Sequence, residues 1–124
     1  MKNIDKILSK DPFSIDHKKK NFLFKKNLNE LTKYHYKNSI LYAKILKALG
    51  YVTKKNYEIS EIPFIPVRLF KEFDLLSVKK NKIIKIINSS GTSGKKTSKI
   101  FLDKENLINQ VRVLQKIMDS ILGK

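Results

Sequence analysis

The sequence predicts one mixed domain, α/β or α+β, with a helical first half, then a strand, a Gly/Ser loop, a second strand and a closing helix. Three observations point to it. Apolar residues recur at helical spacing through positions 28–49. Two short β-branched or apolar runs, at 83–87 and 99–102, flank a stretch rich in serine and glycine. A long apolar stripe at helical spacing then occupies 107–122.

The elements follow in order. Asp11-Pro12 predicts a turn, after which a basic stretch leads into Phe22-Leu23-Phe24. The helical pattern starts at Asn27, with Leu28, Leu31, Tyr34 and His35 on one face. Asn38-Ser39 offers a side-chain oxygen to orphan backbone N–H groups, so a second short helix is expected there rather than one continuous helix. Its apolar set is Leu41, Tyr42, Ile45, Leu46 and Leu49, and Gly50 is expected to end it in the left-handed region. Pro63 and Pro66 impose an extended path from Ile62, followed by a helical turn over Arg68–Phe73. Phe64, Leu69, Phe70 and Phe73 are expected in the core. Ile83-Ile84-Lys85-Ile86-Ile87 and Lys99-Ile100-Phe101-Leu102 read as strands. Asp103 is expected to cap the last helix, whose stripe of Leu107, Ile108, Val111, Leu114, Ile117, Met118, Ile121 and Leu122 is also expected to be core.

Composition narrows the chemistry. The 124 residues suit a single domain, and 41% apolar content permits a core. With no cysteine and two histidines, disulfides, iron–sulfur clusters and cysteine nucleophiles are excluded within this chain, and no metal site is expected. No apolar stretch approaches the ~20 residues of a membrane span. The first eight residues lack an apolar signal core, so a soluble, cytoplasmic chain is expected. The net charge of +16 invites a nucleic-acid reading. However, the cations are 25 lysines, scattered along the chain with only short runs (Lys18-Lys19-Lys20, Lys25-Lys26, Lys54-Lys55, Lys79-Lys80 and Lys95-Lys96), and only two arginines, Arg68 and Arg112. Arginine is the residue that reads base edges and clamps phosphates bidentately. A small basic nucleic-acid-binding module is therefore the alternative reading, not the first. His35 is expected to be a packed, hydrogen-bonded residue, and Arg68 to be paired with a carboxylate.

The loop between the strands carries the most chemistry. Gly91 and Gly94 let the backbone turn several N–H groups towards one point, an arrangement that holds anions. Hydroxyls from Ser89, Ser90, Thr92, Ser93, Thr97 and Ser98 can donate to phosphate oxygens, and Lys95, Lys96 and Lys99 supply positive charge. No carboxylate occurs between Ile83 and Leu102. The loop is not a Walker A motif, whose glycines are five apart and which opens a helix. It is not a Rossmann fingerprint either. The residues alone leave a second possibility, a polar hairpin loop with no ligand.

Ser89-Ser90-Gly91-Thr92-Ser93-Gly94-Lys95 resembles the phosphate loop of adenylate-forming enzymes, the acyl- and aryl-CoA ligases and their relatives. The nearest resemblance is to the LuxE-type acyl-protein synthetase family, with phenylacetate-CoA ligases more distant. Three further stretches agree with it: Leu28–Tyr36 followed by Asn38-Ser39 and Tyr42, Ile62–Lys71, and Ser98–Asp103. The similarity covers nearly the whole chain in the right order. Where the wider superfamily has a proline shortly after the second glycine, this chain has Lys96-Thr97.

The resemblance implies a two-step reaction. A fatty acid or similar carboxylic acid attacks the α-phosphate of ATP, with Mg²⁺ assisting, and the acyl group of the acyl-adenylate passes to an acyl-accepting protein. It also implies that Ser89, Ser90, Gly91, Thr92, Ser93, Gly94 and Lys95 bind the phosphates, with Lys99 a further candidate. Enzymes of this family are longer than 124 residues. The chain is thus expected to be the amino-terminal portion of such an enzyme and inactive alone, with apolar faces exposed; half of a split enzyme is a further possibility.

Overall fold

The computed structural model describes residues 9–11, 13–89 and 97–123. The element order is α1 (His17–Asn38), α2 (Ile40–Ala48), a 3-10 turn (Ile59–Glu61), α3 (Leu69–Glu72), a second 3-10 turn (Lys80–Lys82), β1 (Ile83–Asn88), β2 (Lys99–Asp103) and α4 (Lys104–Leu122). The mixed class predicted from the sequence holds.

The turn at Asp11 is closed by the Ser14 N–H on the Asp11 carbonyl at 3.1 Å. Helix α1 then begins ten residues earlier than the apolar pattern suggests. Asp16 caps it by accepting from the Lys19 N–H at 3.0 Å, and the lysines that follow are good helix formers. This first part has no apolar period because it packs on little, so periodicity alone misses it. The break between α1 and α2 falls where expected. Ser39 is extended, and its hydroxyl accepts from the Tyr42 N–H. Gly50, at φ 74°, ends the second helix in the left-handed region.

The core lies where α1 and α2 fold back on the segment after Gly50. Leu46 is wholly buried, and Tyr51 and Tyr57 stack beside it at 5.1 Å between ring centroids. Tyr36, Tyr42 and Ile62 close over this cluster. Asn29, also buried, ties the layer together. Its Oδ1 accepts from the Tyr57 N–H at 2.8 Å, and its Nδ2 donates to the carbonyls of Tyr57 and Lys25, both at 2.9 Å.

Strands β1 and β2 pair antiparallel, with Ile86 opposite Phe101, Ile87 opposite Ile100, and an irregularity between Ile83 and Lys85. Asp103 caps α4 as expected, accepting from the Asn106 N–H at 2.9 Å. Two expectations about the core need correction. Phe64 is 83% exposed and Phe73 is also exposed, while Leu69 and Phe70 are only half-buried. No residue of α4 is buried; Leu107 is half-buried, and Leu114, Ile121 and Leu122 face open space. A hairpin of two strands cannot cover a 19-residue helix, which is about 28 Å long. The stripe is present, but nothing among the described residues closes over it.

Candidate phosphate-binding site

The site is framed by the hairpin stem. The Ser89 N–H donates to the Ser98 carbonyl at 3.0 Å, and the Ser98 N–H donates to the Ser89 hydroxyl oxygen at 2.9 Å. The 90–96 segment is thus carried between two antiparallel strands, as the resemblance implies. Ser90, Gly91, Thr92, Ser93, Gly94 and Lys95 lie outside the described residues. Of the expected phosphate ligands, the structure places Ser89 and Lys99.

Lys99 opens β2, and its ammonium lies 3.6 Å from the Asp74 carboxylate. The segment before the strands therefore brings a carboxylate to the loop stem, which the loop's own composition does not show. With its charge shared, Lys99 is a weaker anion ligand than a free lysine would be. Ser98, which the resemblance does not assign, is 8% exposed, and its hydroxyl has no hydrogen-bond partner among the described residues. A buried hydroxyl at the stem of the candidate loop is chemically suited to donate to a phosphate oxygen.

His35, on α1, is half-buried. Its Nδ1 lies 2.7 Å from the Ser77 hydroxyl, and its ring meets Tyr34 and Tyr42 edge-on, with centroids at 5.3 and 5.9 Å. Burial holds its pKa below the usual 6.5, so the ring is neutral at pH 7. Burial raises the Tyr42 and Tyr51 phenols; Thr32 bonds to Tyr42 and partly opposes its shift, whereas the neighbouring phenols add to that of Tyr51. His35 is thus packed and hydrogen-bonded, as expected. Arg68 lies 3.8 Å from Glu72 one helical turn on, and at 84% exposure it stands in solvent rather than near a core.

Sequence reasoning missed Asp74, Ser77 and Asn29. Each acts over a long sequence separation, and no local pattern marks it. Among the described residues no group of three His, Cys, Asp or Glu could hold a metal ion, and no helix is long and apolar enough to cross a membrane.

The family model described as acyl-protein synthetase, LuxE, matches residues 2–124. No curated protein and no solved structure matches the chain. A match over practically every residue, on a chain whose strands carry the loop where the resemblance requires it, places this protein: it belongs to the LuxE acyl-protein synthetase family.

Proposed function

We propose that this chain carries the phosphate-binding part of an ATP-dependent ligase that activates a fatty acid, or a similar carboxylic acid, as its acyl-adenylate and passes the acyl group to a protein. The observation that carries the reading is the hairpin. It presents a carboxylate-free segment with two glycines, several hydroxyls and two lysines between paired strands, inside a chain matched by the acyl-protein synthetase family over residues 2–124.

The chemistry follows from the charges. A carboxylate oxygen of the acid attacks the α-phosphorus of ATP, the bond from that phosphorus to the bridging oxygen breaks, and pyrophosphate leaves with the electron pair. Ser89, Ser90, Gly91, Thr92, Ser93, Gly94 and Lys95 would hold the β- and γ-phosphates. Their backbone N–H groups, hydroxyls and ammonium meet the charge that grows on the departing group. Mg²⁺ enters with its substrate, as the magnesium salt of ATP, because hard cations bridge phosphate oxygens. Lys99, shared with Asp74, contributes to the local potential more than to direct contact.

The apolar faces of α4 and of both strands read as surfaces that the rest of an adenylate-forming domain covers. Ile84 and Ile86 on β1, Ile100 on β2 and the α4 stripe are all exposed. The 124 residues alone are accordingly expected to show no acid-dependent exchange of radiolabelled pyrophosphate into ATP. Exchange above background with this chain alone would show that it holds a complete adenylating site and would overturn the partial-domain reading.

A further inference from the structure

We propose that the amino-terminal end of α1 docks the chain on an anionic phospholipid bilayer, its phenylalanine rings entering the headgroup layer and its lysines meeting lipid phosphates. Three rings stand bare at that end. Phe13, in the turn before the helix, is 90% exposed, Phe22 is 67% exposed, and Phe24 is exposed as well. Phe13 also sits at φ 67°, a left-handed geometry that a bulky side chain rarely takes. The turn is held by the N–H and the hydroxyl of Ser14, which both donate to the Asp11 carbonyl, at 3.1 and 2.7 Å. A strained backbone that leaves an aromatic ring in water, and not in the core, is a ring set out for contact.

The charges around the rings select the partner. Positions 9–29 hold six lysines, no arginine and two carboxylates, and one of those, Asp16, is engaged in capping the helix. On a helix surface the neighbours of Phe22 lie three and four residues to either side, and all four are lysines: Lys18, Lys19, Lys25 and Lys26. Lys25 is paired with Glu58, and the other three are exposed. An apolar ring among ammonium groups matches a surface that is anionic at its face and apolar beneath, which is the layering of a bilayer with acidic headgroups. Phe24 lies seven residues past His17, about 10 Å along the axis. The helical rings thus stay within the roughly 5–10 Å to which an interfacial segment sinks.

A nucleic-acid strand fits this end less well. Phe22 and Phe24 lie about 160° apart around the helix, so a run of stacked bases meets one of them, whereas lipid closes round both. The absence of arginine among the six cations weighs the same way. Docking on a bilayer brings the chain to a substrate that dissolves in lipid. That role rests on the acid-activating reaction proposed above; the docking itself does not.

The test is co-sedimentation of the 124-residue chain with phosphatidylcholine vesicles, with and without phosphatidylglycerol, at physiological salt. Binding should be on the order of 10-fold tighter when the anionic lipid is present. Phe13→Ser combined with Phe22→Ser should weaken it about 10-fold with no change in net charge, and Phe22→Leu alone should leave it intact. Lys18→Gln, Lys19→Gln and Lys26→Gln together should weaken it more than the same loss of three charges at Lys79, Lys80 and Lys82. All these side chains are exposed, so the variants keep the fold. Equal binding to neutral and anionic vesicles would overturn the proposal. So would binding that survives the serine changes, which would put the lipid contact on the exposed α4 stripe. Equal losses for the two lysine sets would mark a nonspecific polycation, and tighter binding to a single-stranded oligonucleotide would mark nucleic acid as the partner; either result overturns it. No step of the test involves ATP, so the phosphate-loop assignment stands or falls separately.

Discussion

Leu46→Ala is expected to lower the stability of the helical half by about 3–5 kcal/mol, the range for large cavities that collapse poorly. Leu46 is the one described side chain wholly out of water, and its neighbours Tyr51 and Tyr57 are stacked rings with few alternative rotamers. The space left by the isobutyl group would therefore stay largely open. Small domains hold only some 5–15 kcal/mol in total, and this core is small. Urea denaturation followed by tyrosine fluorescence reads the cluster directly, because the chain has no tryptophan. The midpoint should fall sharply in Leu46→Ala. It should move little in Leu46→Met, which keeps the volume. Equal midpoints for the alanine variant and the parent would mean that Leu46 is not the centre of the fold.

Asn29→Ala should be nearly as damaging, by about 2–4 kcal/mol, through a different cause. The Asn29 side chain satisfies both the N–H and the carbonyl of Tyr57, in a place where water has little access. Removing it leaves two buried backbone groups unpaired and cuts the tie between α1 and the segment after α2. Asn29→Asp separates the contributions. The carboxylate still accepts from the Tyr57 N–H but loses both donors, and its charge faces the Tyr57 and Lys25 carbonyls. It is expected to be at least as destabilising as alanine at neutral pH. Stability unchanged in both variants would show that the Asn29 bonds are made no better than those to water in the unfolded chain.

The parts of the fold that were legible in the sequence are those written in local chemistry. The Ser39 cap, the Gly50 stop, the Asp103 cap and the β-branched run at Ile83–Ile87 each depend on residues within four positions of each other, and each occurs where expected. The start of α1 was not legible, because an exposed lysine-rich helix has no apolar period to detect. The core was misjudged in the opposite sense. Phe64 and the α4 stripe are apolar enough to be core, but hydrophobicity states that a residue should be covered, not that its cover is in the same chain. At the candidate site the glycines and hydroxyls are the local signal on which the proposed anion loop rests. Asp74 beside Lys99 and Ser77 beside His35 are brought in by tertiary folding and had no local signature.

The same contrast bears on the charge. Lysines are spread along the whole chain, and several are held by partners in the helical half: Lys25 by Glu58, Lys55 by Glu61 and Lys33 by Asn56. What sets the hairpin apart is therefore not its lysines but the glycines and hydroxyls between them, which can direct backbone donors at one phosphate group.

The most direct test of the phosphate-loop assignment is an ¹⁵N-amide NMR titration of the chain with the magnesium salt of ATP at physiological salt. The account predicts saturable shifts centred on Gly91 and Gly94, extending to Ser89, Ser98 and Lys99, and reproduced by inorganic triphosphate. Shifts spread over Lys18–Lys20 and Lys25-Lys26, fading as salt is added and absent from the two glycines, would mark a nonspecific polycation and contradict it.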